Sequence, residues 1–193
     1  MFKGRIKTVA MIALSILIIS SSAWCLDSLI VNITRASVIV NPADANDTRA
    51  LLQFDLPELL DTTKYVMVAE LRFRINIPQQ FDRLIKLRAC PLTREWSPDN
   101  VGWNIPWDNA GGDLADTMRA IGHISQSGET ELKIDVSHLI QNYIRGYLPN
   151  HGFIVRQIGE PMRRFTLVPY NSPEPDDTIV QLAIYYVDME PDD

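Results

Sequence analysis

Cysteine is scarce in this sequence, which limits what can hold the fold together. The 193 residues contain two cysteines, Cys25 and Cys90. Cys25 lies where a signal peptide would be cleaved. Cleavage after Cys25 would leave Cys90 as the single cysteine of the mature chain. Cleavage after Ala23 would leave Cys25 and Cys90 available for one disulfide. A disulfide-dense scaffold is excluded, and we expect an apolar core to stabilise the fold. Cys90, beside Pro91 in an apolar segment, is interpreted as a buried structural thiol.

Motifs of enzyme chemistry are lacking as well. The three histidines, His123, His138 and His151, are scattered and do not show a metal-ligand spacing such as His-Glu-x-x-His. There is no Gly-x-Ser-x-Gly nucleophile motif and no glycine-rich phosphate loop. The sequence therefore favours a non-catalytic protein, with a small enzyme that uses paired carboxylates as an alternative.

Positive charge is in deficit. Lys and Arg number 18 against 24 Asp and Glu, for a net charge of −6, and loss of the three basic residues before position 25 would make it −9. Acidic residues cluster at 174–177 and at 188–193. Nucleic-acid binding needs clustered cations to contact phosphates, so we do not expect a nucleic-acid partner.

The N-terminal segment has the order of a secretory signal peptide. Basic residues precede an apolar run over residues 9–19, and small residues follow at 20–23. The run is shorter than the roughly 20 apolar residues that a membrane-spanning helix needs. We expect residues 1–25 to be a signal peptide and residues 26–193 to form one exported domain, placed outside the cell, in a periplasm or on the cell surface, without a membrane span after cleavage. Lipid attachment to Cys25 would need a small residue directly before it. The residue at that position is Trp24, which disfavours a lipid anchor.

Most of the remaining apolar residues alternate with polar ones. Alternation of period two predicts strands with one face turned inward. Eight or nine such strands with turn-rich spacers predict an all-β fold, an antiparallel β-sandwich of jelly-roll type. The inward-facing residues expected from the clearest segments are Ala50, Leu52, Phe54, Leu71, Phe73, Ile75, Ile85, Leu87, Ala89, Leu132, Ile134, Val136, Val180, Leu182, Ile184 and Tyr186.

One short helix is predicted between two strands. Leu139, Ile140, Tyr143 and Ile144 would form its apolar face. Asp135 or Ser137 is expected to cap its start, and Gly146 to end it.

Several segments follow one another in a recognisable order. They are RALLQFDLP at 49–57, AELRF at 69–73, the stretch 96–103, Pro106-Trp107, GGD at 111–113, IDVSHLIQNY at 134–143, NHGFIV at 150–155 and a final strand at 180–186. This ordered set resembles a DNRLRE domain and covers about residues 35–187. The resemblance implies a secreted β-sandwich of a kind that occurs beside enzymes and adhesive modules on microbial surface proteins. Some relatives are classed as carbohydrate-binding modules.

The loop at 94–113 holds three of the four tryptophans, among residues that break helices and strands. Sugar-binding proteins stack the C–H face of a pyranose on a flat aromatic ring and hold its hydroxyl groups with amides and carboxylates. The candidate ligand-binding residues are therefore Trp103, Asn104, Trp107, Asp108 and Asn109.

Tryptophans in such a loop can equally plug the end of a sandwich, because a tryptophan side chain buries a large area. We expect Trp96 to belong to the core. The resemblance to the family favours the same role for Trp103, and the sequence leaves Trp107 open between core and exposed surface.

The same loop region offers oxygen ligands for a structural calcium ion. The candidates are Asp99, Asn100, Asp108, Asn109, Asp113 and Asp116. They do not have EF-hand spacing, and such residues also cap turns. No other cofactor is expected.

Three functions remain open from the sequence. The first is a secreted, non-catalytic module that binds extracellular or cell-surface polysaccharide, which predicts an exposed aromatic face flanked by amides. The second is a structural or adhesive surface protein that binds other proteins, which predicts an apolar patch or an open strand edge. The third is a small polysaccharide-active enzyme, which predicts a cleft with paired carboxylates or a histidine.

Overall fold

The computed structural model describes residues 26–81, 83–125, 127–168 and 180–189. The expected signal peptide and the acidic residues at 174–177 and 190–193 lie outside these ranges. Within them the chain forms strands β1 (Asp27–Asn41), β2 (Asp44–Phe54), β3 (Lys64–Ile77), β4 (Ile85–Pro91), β5 (Ala120–Ile124), β6 (Gly128–Asp135), helix α1 (Ser137–Ile144), and strands β7 (Phe153–Ile158), β8 (Thr166–Val168) and β9 (Val180–Asp188).

All strand pairs are antiparallel, and the strands follow the order β5-β4-β7-β2-β1-β9-β3-β6, with β8 beside β3. The long strand β1 serves two sheets. Its first half, Asp27–Asn32, pairs with β9, and its second half pairs with β2. We call β5, β4, β7, β2 and the second half of β1 the covered sheet. The first half of β1 with β9, β3, β6 and β8 is the open sheet.

The inner faces of the two sheets form one apolar core. Every inward-facing residue predicted from the alternation belongs to it, with Tyr186 partly buried at its margin. The prediction of an all-β, antiparallel fold with one short helix is confirmed. The jelly-roll topology is not confirmed, because the strands form a single curled order.

The curl brings the two end strands, β5 and β6, against each other. Gly122 of β5 makes this approach possible, because a Cβ at this position would lie 2.7 Å from Cγ1 of Ile134 on β6. Such a contact is too short for real carbon atoms, so any side chain here would force Ile134 or the strand that carries it to move.

The helix lies where it was predicted, and the Asp135 carboxylate accepts the backbone N–H of its first residue, Ser137, at 3.0 Å. The residue at the N-cap is Val136, with no side-chain cap. The Ser137 hydroxyl instead accepts a 2.8 Å hydrogen bond from the Ala69 backbone N–H. The Ser137 hydroxyl is therefore used to attach the helix to β3. Gly146 follows the helix with φ of +69°, in the left-handed conformation that ends many helices.

The outer face of the covered sheet is in part apolar and buried, in addition to its inner face. Residues 92–119 run across its outer face and form with it a second buried group, the outer cluster. Its members are Ile39, Leu51, Cys90, Leu92, Trp96, Trp107 and Ile154. The sequence carries a signal for this arrangement, since uninterrupted apolar runs at 50–52 and 153–155 are typical of strands buried on both faces.

Candidate functional site

Trp96 lies in the outer cluster and is only 3% exposed. Its ring Nε1–H donates a 3.0 Å hydrogen bond to the His151 carbonyl, so the polar atom of the buried ring is satisfied. The prediction that Trp96 belongs to the core is confirmed.

Trp107 is buried as well, at 6% exposure, and its Nε1–H donates to the Gly102 carbonyl at 2.9 Å. The sugar-stacking interpretation requires an exposed Trp107 ring, and the structure does not show one. That interpretation is therefore wrong for Trp107. The reason lies in the covered sheet, since Leu51 and Ile154 present apolar side chains on its outer face. The ring covers them, which removes more apolar surface from water than an exposed position would.

Trp103 is partly buried at the margin of the outer cluster. The guanidinium carbon of Arg49 lies 4.4 Å from the ring centroid, a cation–π arrangement. The same guanidinium donates a 2.7 Å hydrogen bond to the Gly111 carbonyl. Arg49 therefore already occupies ring surface on which a sugar would have to stack.

Asp113 organises the turn that follows Trp107. Its carboxylate is largely buried and accepts hydrogen bonds from the backbone N–H of Asp108 and from the backbone and side-chain N–H of Asn109, each at 2.9 Å. Burial alone would raise the pKa of Asp113, but these bonds and the charge of Arg94 together lower it below the usual value. Asp113 is a structural residue of the loop.

Two further acidic residues proposed as calcium ligands, Asp108 and Asp116, also form ion pairs. Asp108 pairs with Arg94 at 2.5 Å, and Asp116 contacts Arg88 at 2.7 Å and Arg156 at 3.1 Å. Among the described residues, no three His, Cys, Asp or Glu side chains lie close enough together to hold a metal ion. The carboxylates of Asp108, Asp113 and Asp116 thus have cations and N–H groups of the protein as partners.

The polar candidates of the loop, Asn104, Asp108 and Asn109, are exposed. Asp108 and Asn109 line a shallow polar cleft together with Thr93, Arg94, Asp113 and Leu114. This cleft can form hydrogen bonds with hydroxyl groups, but no aromatic ring lines it. The structure therefore does not bring the predicted rings and amides together on one accessible surface.

A different groove, of about 350 Å³, does combine a ring with amides. We call it the Tyr65 groove. Its lining residues come from the start of β3 and from α1 and the residue after it: Tyr65, Val66, Met67, Ser137, His138, Gln141, Asn142 and Arg145. Tyr65 is 45% exposed and Met67 51%.

Local structure explains why these side chains face outward. The register between β3 and β9 shifts between Val66 and Val68, which marks a β-bulge. Gln141 of α1 holds this segment in place, accepting the Val66 N–H at 2.8 Å and donating to the Lys64 carbonyl at 3.3 Å. The groove is thus built on a strand and a helix that are fixed to each other.

The lining offers the chemistry that the sequence analysis sought in the loop. An exposed phenol ring can stack on the apolar face of a sugar, and the amide of Asn142 can both donate and accept hydrogen bonds. His138 and Arg145 are exposed at the groove and add further donors. The sequence analysis missed this site. One available signal was the break in alternation at 65–68, and another was the pair of amides on the polar side of the predicted helix.

The three histidines are not assembled into a site. His123 lies on β5, His138 lines the Tyr65 groove and His151 lies in the turn before β7. No shift in the pKa of Cys90 towards reactivity is found either. Burial, followed by the charge of Asp116, raises the thiol pKa to about 11.

The chain was compared with protein-family models and with curated protein sequences, and nothing matches it. The resemblance to DNRLRE domains therefore stays a prediction. The described part of the chain contains no helix with the length and apolarity needed to cross a bilayer.

Proposed function

We propose that the protein is a secreted, non-catalytic module that binds extracellular or cell-surface polysaccharide, and that the Tyr65 groove is its binding surface. The observation that carries the proposal is the exposed Tyr65 ring beside Asn142, His138 and Arg145. The basic, apolar and small segments of the N-terminus support export, and the DNRLRE resemblance supports a carbohydrate ligand. This proposal moves the ligand from the tryptophan loop on the covered sheet to the place where the helix meets β3 of the open sheet.

The groove suits a chain of sugars better than a small polar ligand. It is open along one side and is bounded by apolar Tyr65 and Met67 on the strand and by polar side chains on the helix. A pyranose has the same division, with C–H groups on its faces and hydroxyls around its rim. One ring stacked on Tyr65 would place its hydroxyls towards Asn142 and Arg145.

The test is Tyr65→Ala, followed by affinity electrophoresis in gels that contain neutral or acidic polysaccharides. We expect binding to weaken at least tenfold, since stacking of one ring on an aromatic side chain is lost. The melting temperature should stay close to that of the wild type, because Tyr65 is already 45% exposed. Tyr147→Ala is the matched control, since Tyr147 is 68% exposed and does not line the groove.

Asn104→Ala tests the loop location predicted from the sequence. It removes an exposed amide without touching the hydrogen bonds of Asp113. Weaker binding in Asn104→Ala with unchanged binding in Tyr65→Ala would return the site to the loop. A wild-type protein that binds none of the polysaccharides would overturn the proposed function.

The structural or adhesive alternative is favoured by one observation on the open sheet. Ile30 and Val68 are 50% and 40% exposed, and they flank β9, where Ala183 and Tyr185 pair with Ile30 and Val68. Apolar side chains grouped on an outer face are a feature of protein-binding surfaces. If polysaccharide binding fails, Val68→Asp in an adhesion assay with cells of the source would test this alternative, which requires adhesion to fall.

A further inference from the structure

Three arginines lie side by side on the outer face of the covered sheet. Arg49 of β2 pairs directly with Arg156 of β7, and Arg156 pairs directly with Arg88 of β4. Side chains in such positions are about 5 Å apart at Cβ, and like charges there destabilise a sheet. The row therefore needs negative charge from elsewhere.

Arg49 has its own partners. It contacts Asp47 at 3.4 Å, donates to the Gly111 carbonyl and packs on Trp103. Its guanidinium attaches the loop to the sheet through the contacts with Gly111 and Trp103. It is therefore a structural member of the row.

Arg88 and Arg156 have fewer partners for their guanidinium groups. Both donate to the same atom, Oδ1 of Asp116, at 2.7 and 3.1 Å. One carboxylate for two guanidinium groups leaves an excess positive charge. In addition, the Nε atoms of both arginines are buried without a hydrogen-bond partner in the described part of the chain. Each guanidinium carries five N–H donors, so most of their hydrogen-bonding capacity is unassigned.

Other cations surround the pair. Arg88, Arg156 and the exposed Arg119 each lower the pKa of the nearby Cys90 thiol, against the larger effects of its burial and of Asp116. Arg119 comes directly before Ala120, which pairs with Ala89 of β4, so its backbone lies near Cys90 at this end of the sheet. Lys86, two residues before Arg88 on β4, is exposed. An acidic chain thus carries a local cationic surface.

We propose that Arg88 and Arg156 together bind an oxyanion of the sulfate, phosphate or carboxylate type. Guanidinium groups present paired N–H donors that match two oxygens of such an anion. The side chains of Arg88 and Arg156 are 17% and 25% exposed, so each guanidinium is in part accessible to solvent. The anion is either a free ion or a charged substituent on a larger ligand. This inference does not rest on the Tyr65 groove.

The first experiment uses inorganic sulfate as the probe. Titration calorimetry with sodium sulfate, against sodium chloride at equal ionic strength, should show binding to the wild type. Arg156→Gln should weaken it at least tenfold. Arg72→Gln is the matched control and should bind as the wild type does, since Arg72 is 23% exposed, pairs with one carboxylate, Glu70, and lies on the open sheet.

Asp116→Asn gives an independent test if Arg156→Gln fails to fold. It removes the carboxylate that competes with the anion, so sulfate affinity should rise several-fold. Equal or weaker binding in Asp116→Asn would overturn the proposal, as would an absence of sulfate binding to the wild type or an equal loss in Arg72→Gln.

A second arm distinguishes the two sources of the anion. Dextran sulfate and uncharged dextran are compared in affinity gels at low and high salt. Retardation by dextran sulfate that is lost in Arg156→Gln identifies a substituent on a polymer as a ligand. Sulfate binding without such retardation identifies a free ion. Either result supports the site, whereas retardation that Arg156→Gln leaves unchanged would contradict its role for polymers.

Discussion

The outer faces of the two sheets differ in their exposure to solvent. On the covered sheet, Leu51, Cys90 and Ile154 point outward and are buried beneath Trp96 and Trp107. On the open sheet, the outward positions of β3 and β6 carry partly or fully exposed polar side chains such as Glu70, Arg72 and Lys133. Both sheets bury their inner faces equally well. The difference shows that the outward apolar residues of the covered sheet form one buried cluster with the tryptophans of the loop.

The loop is held by polar contacts as well as by its tryptophans. Arg94 donates to the Pro106 carbonyl at 2.6 Å and pairs with Asp108, while Asp113 closes the turn between them. These contacts lie at the loop's outer side, and the two rings lie against the sheet. The covered face is therefore a small folded layer with an apolar side and a polar side.

The strongest test of this comparison is removal of a loop tryptophan. Trp96→Ala and Trp107→Ala should each lower the free energy of unfolding by about 3–5 kcal/mol, because each leaves a large cavity in the outer cluster. Denaturant unfolding followed by circular dichroism measures the loss. A Trp107→Ala variant as stable as the wild type would show that the ring does not cover the sheet.

Removing the carboxylate of the turn should have an intermediate effect. Asp113→Ala leaves the N–H groups of Asp108 and Asn109 without their acceptor, at a cost of about 1–3 kcal/mol. The effect should depend on pH. The pKa of Asp113 is lower in the folded than in the unfolded chain, so its stabilisation is present above the unfolded value of 3.8 and is lost as pH falls through the folded pKa.

Unfolding curves at several pH values check this dependence. The difference in stability between wild type and Asp113→Asn should be full at neutral pH and should shrink below about pH 4. A difference that stays constant into the acid range would mean that the Asp113 carboxylate does not act through its charge.

The smallest effect is expected on the open face. Lys133 is exposed on β6, opposite Arg72 on β3. Lys133→Ala should change the free energy of unfolding by no more than about 0.5 kcal/mol, as is usual for surface positions. Thermal unfolding beside the wild type measures it. A loss comparable with that of Trp96→Ala would mean that the open face is covered in the folded protein.

The sequence was informative about the core because period-two alternation depends only on local geometry. It predicted the inner faces of both sheets, the helix and the burial of Trp96. It was less informative about Trp107, whose burial depends on Leu51 and Ile154 pairing on the same outer face. The apolar runs at 50–52 and 153–155 carried that information, but only as a sign of two-sided burial.

The Tyr65 groove could not be predicted in the same way. It depends on the contact between Gln141 and the backbone of Val66, which are far apart in sequence. It depends also on a bulge that turns Met67 outward, and bulges are set by strand pairing. The role of Ser137 could not be predicted for the same reason. Its hydroxyl accepts a hydrogen bond from Ala69, which lies on a strand that is distant in sequence.

The sharing of β1 between two sheets has a consequence for how the protein reaches its native state. Asp27 near the start of β1 pairs with Tyr186 near the end of β9, so the first strand finds half of its partners in the last. Closing so long a stretch of chain costs entropy before the pairing can repay it, and folds dominated by such distant contacts assemble slowly. In the open sheet, β9 lies between β1 and β3. The sheet therefore cannot be complete before β9 has paired with both strands. The native open sheet is therefore complete only when strands from the two ends of the domain have paired.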